Sequence, residues 1–271
     1  PDYISVDQRL LNAHGADILA GNSGTYFMNV TNQDRSIGAR ISGLLCRKFG
    51  ERGLAADTIK LKFKGVAGQS LGIGLIQGVT IDLEGAANDG VGKSLSGGTI
   101  IVRPDDYSPM QDYTQENTII GNSCLYGAIH GELYAAGKAG NRFAVRLSGA
   151  TAVTEGAEDH ACEYMTAGTV AILGEVGRNF GAGMSGGEAF VYDEKDRLKD
   201  TASEDVKDKI QTLETGSEEE QKLKNLVTRH ANATGSLYAQ KLLQDWDNAV
   251  KNFRYIAPQK MKIKSAPAMK I

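Results

Sequence analysis

The sequence predicts an all-β fold, a right-handed parallel β-helix with flanking α-helices at both ends. Three observations predict it. First, residues recur at a step of 19: Gly149, Gly168 and Gly187; Tyr134, Val153, Ile172 and Val191; Cys124, Phe143, Cys162 and Gly181; Arg146, Met165 and Met184. Second, short strand-forming runs separated by glycine fill residues 58–192. Third, 24 of the 33 glycines lie between Gly65 and Gly187, where the chain therefore needs tight corners. A period of 19–20 is too short for helix-pair repeats or propeller blades, and the Leu/Asn ladder of a leucine-rich repeat is missing. A coil of two or three short strands per repeat remains, each coil bonded to the next at about 4.8 Å. Variable coil length without a strict hexapeptide favours the right-handed kind over the left-handed.

Three zones follow in order. Residues 1–57 form a lead-in segment whose one clear element is SIGARISGLLCRKFG. Ser36 is placed to cap a helix there, Ile37, Ile41, Leu44, Leu45 and Phe49 fall at helical spacing, and Gly50 stops it. Residues 58–192 carry the strands TIKLKFKG, GVTIDLEG, GGTIIVRP, GELYAAG, NRFAVRLSG, GTVAILGE and GEAFVYD. About seven coils result. Ile81, Ile101 and Ile120 continue the step of 19–20 upstream, and the step of 14 from Ile120 to Tyr134 marks one slip of register. The column Tyr134, Val153, Ile172 and Val191 can face inward throughout. Residues 193–271 form a charged helical extension: 19 of the 37 residues from Asp193 to Arg229 are charged, and helices are expected over 203–213, 217–230 and 236–253. Ser217 and Glu220 make a capping box, and the single Trp246 is placed to dock on the coil or on another domain. The final PQKMKIKSAPAMKI, with four lysines and no acid, reads as a frayed end or a partner-binding arm. The helix at 36–50 and the C-terminal helices are candidate covers for the two open ends of the coil.

The composition is that of an ordinary globular protein. A net charge of −3 gives no argument for nucleic acid, and no apolar run reaches the roughly 20 residues that span a membrane. No signal peptide is evident in residues 1–20. Three scattered cysteines do not make a disulfide framework, so a reducing compartment is expected.

Each chemical motif has a plainer reading. GAGMSG (Gly181–Gly186) spells G-x-G-x-x-G, but a dinucleotide site needs a strand before it and a helix after it, and here the strand GEAFVYD follows. AANDGVGKS resembles a phosphate loop, yet its first glycine position is Ala87 and a strand again follows. Both read as corners. Cys124, His130, His160 and Cys162 could be imagined as a metal site. In the coil Cys124 and Cys162 lie two laps apart, roughly 9–10 Å, too far for zinc or a disulfide. Stacked core thiols are the expected arrangement, with His160 a polar turn residue. Asp105, Asp106, Glu155, Glu158, Asp159 and Glu163 could line a carboxylate groove of the sugar-cleaving kind; a solvated rim is the alternative. No catalytic, cofactor-binding or metal-binding residue is therefore assigned.

FKGVAGQSLGIGLIQGVTIDLEGAANDGVGKSLSGGTIIVRP and the stretch from NTIIGNSCLYG to GAGMSGG resemble the C-terminal β-helix (GXGXG) domain of the glutamate synthase large subunit. VTNQDRSIGARISG resembles the link into that domain from the upstream synthase barrel, and LVTRHANATGSLYAQKLLQDWDNAVKNFRYIAP its closing helix. The chain departs from the family at Gly90, where an aromatic is usual, and at Ser94, where glycine is. The resemblance implies a parent enzyme making two glutamates from glutamine, 2-oxoglutarate and a reductant. That enzyme works with an amidotransferase domain, an FMN barrel and an iron–sulfur cluster, none of whose motifs match residues here. It also implies a scaffold role beside the amidotransferase and FMN-binding domains, possible contact with a small FAD/iron–sulfur reductase subunit, and a cytoplasmic (in eukaryotes, plastid) location. Two alternatives stay open: a stand-alone β-helix interaction subunit of a multi-subunit oxidoreductase, and a carbohydrate-active β-helix enzyme.

Overall fold

The computed structural model describes residues 3–258. The chain opens with helix α1 (Val6–Ala20), strand β1 (Gly24–Val30) and helix α2 (Ala39–Phe49). Strands β2 (Ile59–Ala67), β3 (Val79–Ala87) and β4 (Ser96–Arg103) follow. A 3-10 stretch (Pro109–Glu116) precedes β5 (Thr118–Ile120), β6 (His130–Ala139), β7 (Ser148–Ala157), β8 (Ala167–Ile172) and β9 (Glu188–Tyr192). The tail adds α3 (Leu198–Thr201), α4 (Glu204–Lys207), β10 (Ile210–Thr212), α5 (Glu218–Thr234), α6 (Leu237–Gln244), α7 (Trp246–Ala249) and β11 (Phe253–Ile256).

The expected parallel β-helix is present. Strands β1, β2, β3, β4, β6, β7, β8 and β9 stack in that order through seven successive parallel pairings. One column of the register, Leu61–Ile81–Ile100–Leu133–Ala152–Val170–Ala189, is fully buried from end to end. Stacked aliphatic side chains of this kind are each worth up to roughly 1.5–3 kcal/mol, which is what holds short strands in a coil.

The column expected to run inward through Tyr134, Val153, Ile172 and Val191 is not one column. Tyr134 pairs with Val153, Val153 with Ala171 and Ala171 with Phe190. Ile172 and Val191 belong instead with Thr154, one residue over. The register shifts between Ser148 and Thr151, so the β7-to-β8 lap is shorter by one residue, and a one-residue slip reverses the face a side chain takes. Tyr134, Val153, Ala171 and Phe190 accordingly point outward beneath the tail helices, whereas Ile172 and Val191 point into the coil. Upstream, Ile81 pairs with Ile100 rather than Ile101. Ile120 lies in β5, between Ala87 and Ala139. The slip read between Ile120 and Tyr134 is an enlarged lap containing the 3-10 stretch.

The lead-in region contributes more than a helix, because β1 pairs with β2 over its whole length and starts the sheet. Helix α2 lies within the expected span and stops at Gly50, but its cap is not Ser36. Its N-cap is Gly38 with no side-chain bond of its own, and the carboxylate of Asp7 on α1 accepts from the backbone N–H of Gly38 (2.7 Å), Arg40 (2.8 Å) and Ile41 (3.2 Å). The first turn of any helix leaves N–H groups without partners, and here a buried acid 31 residues upstream supplies the acceptors. Burial pushes the Asp7 carboxyl above its usual range despite these three donors. Asp7→Ala is expected to cost about 2–3 kcal/mol in chemical denaturation, since it strands three N–H groups at a buried helix end.

The tail differs from three helices. The segment 203–213 folds as the single turn α4 followed by strand β10. Residues 236–253 break into α6, α7 and a 3-10 turn before β11, which pairs antiparallel with β9 and with β10. The C-terminal end of the sheet is thus extended by β11 and the short β10. The core at that end is plugged by Leu198, Ala202 and Val206 of the α3–α4 region, not by the long helices. Helices α5–α7 cover the outer face of the coil instead, where Tyr134, Val153, Ala171, Leu173 and Phe190 meet Leu223, Val227, Leu242 and Trp246. The capping box is present in part. Ser217 Oγ accepts from Glu220 N (3.1 Å), while Glu220 accepts from Gly216 N (2.6 Å) and from the indole of Trp246 (2.8 Å). The basic stretch expected to fray or bind a partner lies, from residue 259 on, outside the described residues.

Candidate functional site

Between the strands, each lap turns through a corner in which every second residue is left-handed. The triplets are Ser70, Gly72, Gly74; Gly90, Gly92, Ser94; Ser123, Leu125, Gly127; Arg142, Ala144, Arg146; His160, Cys162, Tyr164; and Asn179, Gly181, Gly183. GAGMSG therefore supplies two corner residues. A Cβ at Gly181 would meet Val206, and one at Gly183 would meet the ring of Tyr164 at 2.6 Å. Strand β9 follows, so no helix N-terminus is offered to a pyrophosphate. AANDGVGKS occupies the equivalent corner two laps after α2, ahead of β4.

A polar ladder runs up the same side. Asp89 Oδ1 accepts from Asn122 N (2.7 Å), Asn122 Oδ1 from Asn141 N (2.8 Å), Asn141 Oδ1 from Asp159 N (3.1 Å), and Asp159 Oδ1 from Arg178 N (2.8 Å). The glycine before each of three receiving amides leaves room for the incoming oxygen. A Cβ at Gly121, Gly140 or Gly177 would lie 2.3–2.5 Å from it.

Alternating left-handed corners, with glycine at two positions of a triplet in three laps, are the physical content of the pattern G-x-G-x-G, and the GXGXG motif family matches residues 7–259. The chain belongs to the GXGXG family. Among proteins with similar sequences, the glutamate synthase (NADPH) large chain of Azospirillum brasilense is 50% identical over 233 residues, covering 86% of this chain and 15% of that protein. The ferredoxin-dependent glutamate synthase of Pyropia yezoensis is 45% identical over 234 residues, covering 86% and 15%. The glutamate synthase (NADH) of Schizosaccharomyces pombe is 42% identical over 260 residues, covering 96% and 12%. The chain spans only a small fraction of these relatives' length.

Within this GXGXG chain the imagined metal set does not converge. Cys124 and Cys162 are fully buried free thiols, and burial pushes each up to about 12. They do not share a column. Cys162 is itself a left-handed corner residue equivalent to Leu125, so Cys124 stacks with Phe143 and the slot below holds Ala161. Cys46 is exposed on α2, so the three thiols do not fit a thiolate-held cluster. His130 starts β6, while His160 Nδ1 meets Glu163 Oε1 at 2.6 Å within one corner. No three His, Cys, Asp or Glu side chains among the described residues are placed to hold a metal. No helix among them is long and apolar enough to cross a membrane.

The six carboxylates form no shared groove. Asp105 pairs with Lys64 (2.6 Å), Asp106 with Arg103 (2.7 Å) and Asp159 with Arg178 (2.8 Å). Glu163 serves its own corner, Glu158 is exposed, and Glu155 is buried beneath the tail helices. The Arg178 side chain, with its N–H, holds the Asp159 carboxyl below the usual range. A depressed carboxyl stabilises the fold above its unfolded value of about 3.9 and loses that contribution as pH falls through the folded value. Denaturation midpoints should therefore drop on acidification below about pH 4, and less steeply in Asp159→Asn.

The densest buried polar cluster was not visible as such in the sequence. Glu155 Oε1 accepts from His230 Nε2 (2.9 Å) and from Ser236 Oγ (2.5 Å), and Ser236 Oγ accepts in turn from Ala239 N (3.0 Å) as the N-cap of α6. All three residues are essentially sealed from solvent. The carboxylate lies between the hydroxyl and the imidazole, so the imidazole does not touch the serine. The cluster fastens α5 and α6 to β7. Its only sequence signal is a lone Glu in the run TAVTEGA.

Proposed function

We propose that the chain is the non-catalytic bracing domain of a glutamate synthase. In this reading it holds an amidotransferase domain and an FMN-binding synthase domain of the same polypeptide at fixed separation, so that ammonia released from glutamine reaches the site where it is used. FMN and an iron–sulfur cluster belong to those other domains. A small FAD/iron–sulfur subunit is a further partner, and the setting is the cytoplasm, or the plastid in a eukaryote. The observation that carries the reading is the unbroken stack of seven parallel pairings, cross-tied by the Asp89–Arg178 ladder. Such a rod transmits position without bending, which a spacer requires. The kinship with glutamate synthases and the dispersal of the candidate acids support the same role.

Two experiments test it. The chain purified alone is expected to show neither glutaminase nor synthase activity and no bound FMN; any of these would contradict the proposal. In the intact enzyme, Phe143→Ala in the coil core is expected to raise the glutamine hydrolysed per glutamate formed while ammonia-driven synthesis persists. An unchanged ratio in a demonstrably loosened coil would count against bracing.

A further inference from the structure

Strand β1 is the terminal strand of the sheet, paired with β2 and, among the described residues, with no strand on its other side. Gly24 N donates to Thr58 O at 2.9 Å, which sets the phase of the ladder. In a parallel pair, alternate residues direct their backbone groups to the same neighbour. Tyr26, Met28 and Val30 therefore face β2, and the N–H and C=O groups of Thr25, Phe27 and Asn29 face away. Among the described residues these three make no backbone bond outside the β1–β2 pair. The Phe27 side chain is 73% exposed on the outer face.

Free edges in native proteins are blunted by charge, proline, bulges or brevity. GTYFMNV has seven residues with no charge and no proline, and its pairing to β2 is continuous. The charges lie one strand inside the edge, at Lys60, Lys62 and Lys64. At the other end of the sheet, β11 and β10 add antiparallel strands. One terminus ends in the three-residue strand β10, blunted by brevity, and the other carries the features of an edge that is covered from elsewhere.

We propose that an extended, uncharged segment of the longer polypeptide adds a strand to β1. It would bond the backbone of Thr25, Phe27 and Asn29 and lay an apolar side chain against Phe27. This rests on the reading above that the chain is one part of a larger protein, and the relatives it matches are indeed several times its length. A second copy is the weaker occupant. Seven residues of strand alone bury far less than the roughly 1,200 Å² of a stable interface, whereas a tethered segment gains from its effective concentration.

The test is amide hydrogen exchange in the intact long protein. Thr25, Phe27 and Asn29 are expected to be protected alongside Tyr26, Met28 and Val30. Asn29→Pro removes an N–H that makes no backbone bond among the described residues; it should speed exchange at Thr25 and Phe27 about tenfold while Tyr26 and Met28 change little. Exchange of the three outward amides at unprotected rates overturns the proposal. So does protection that vanishes on dilution, which would mark a second copy. Neither result touches the bracing role, which is read from the glutamine-to-glutamate ratio.

Discussion

Gly85→Ala should largely prevent the coil from closing, with a loss of about 3–5 kcal/mol or outright failure to fold. Gly85 pairs with Gly65, and Gly65 with Val30, at the end of β1 and two residues before β2 and β3 end. A Cβ on Gly85 would lie 1.8 Å from the Gly65 carbonyl oxygen, and one on Gly65 would lie 2.2 Å from that of Val30. Both obstacles are backbone, so no rotamer change relieves them, and Gly85 also sits at φ +146°. The control is Gly74→Ala. Gly74 is left-handed at φ +61° with open space around its missing Cβ, so it should cost only the conformational strain of about 1 kcal/mol. Denaturant midpoints of the two variants decide it: equal, small losses would show that close approach of the laps is not what these glycines permit.

Glu155→Ala is the second large effect. It removes the acceptor shared by His230 Nε2 and Ser236 Oγ, leaving both donors buried. Breaking a buried pair from one side costs about 3–5 kcal/mol, because the surviving polar groups stay desolvated. The damage should be local as well as global. Protease cuts should appear within 217–249, as α5–α7 come away from the face formed by Tyr134, Val153, Ala171 and Phe190. Replacing the pair together, Glu155→Leu with His230→Leu, should recover part of the loss, since well-packed apolar groups often substitute for a buried pair at little net cost, while the buried Ser236 hydroxyl still lacks its acceptor. If the single variant unfolds like the unsubstituted chain and resists protease equally, the cluster is not what fastens the helices.

The corners at GAGMSG and AANDGVGKS were legible for a local reason, whereas the corner at Arg142–Arg146 was hidden in NRFAVRLSG, whose apolar residues spell a strand. GAGMSG and AANDGVGKS were separable from nucleotide sites because the strand after each is a local property of the sequence, and both lie in corners of the coil. The glycine–asparagine dipeptides at 121–122 and 140–141 also recur at 19, but their role as ladder rungs appears only with the neighbouring lap in place. The inward assignment of Tyr134 and Val153 failed because both faces of β6 to β9 are apolar. An alternating strand with one wet face declares its inside, whereas one covered on both faces does not. The short lap before β8 then moved every later residue by one position.

The sequence by itself determined the repeat near 19 and the stacked β-helix, because repetition and glycine placement are written in local order, whereas NRFAVRLSG, expected as a strand, is mostly the corner through Arg142, Ala144 and Arg146 that precedes β7. Only the tertiary structure decided what covers the stack. Asp7 caps α2 across 31 residues, Glu155 meets His230 across 75, and β11 returns to close β9. Those partners are set by packing of surfaces distant along the chain, and no spacing rule in the sequence encodes which face a distant helix will bury.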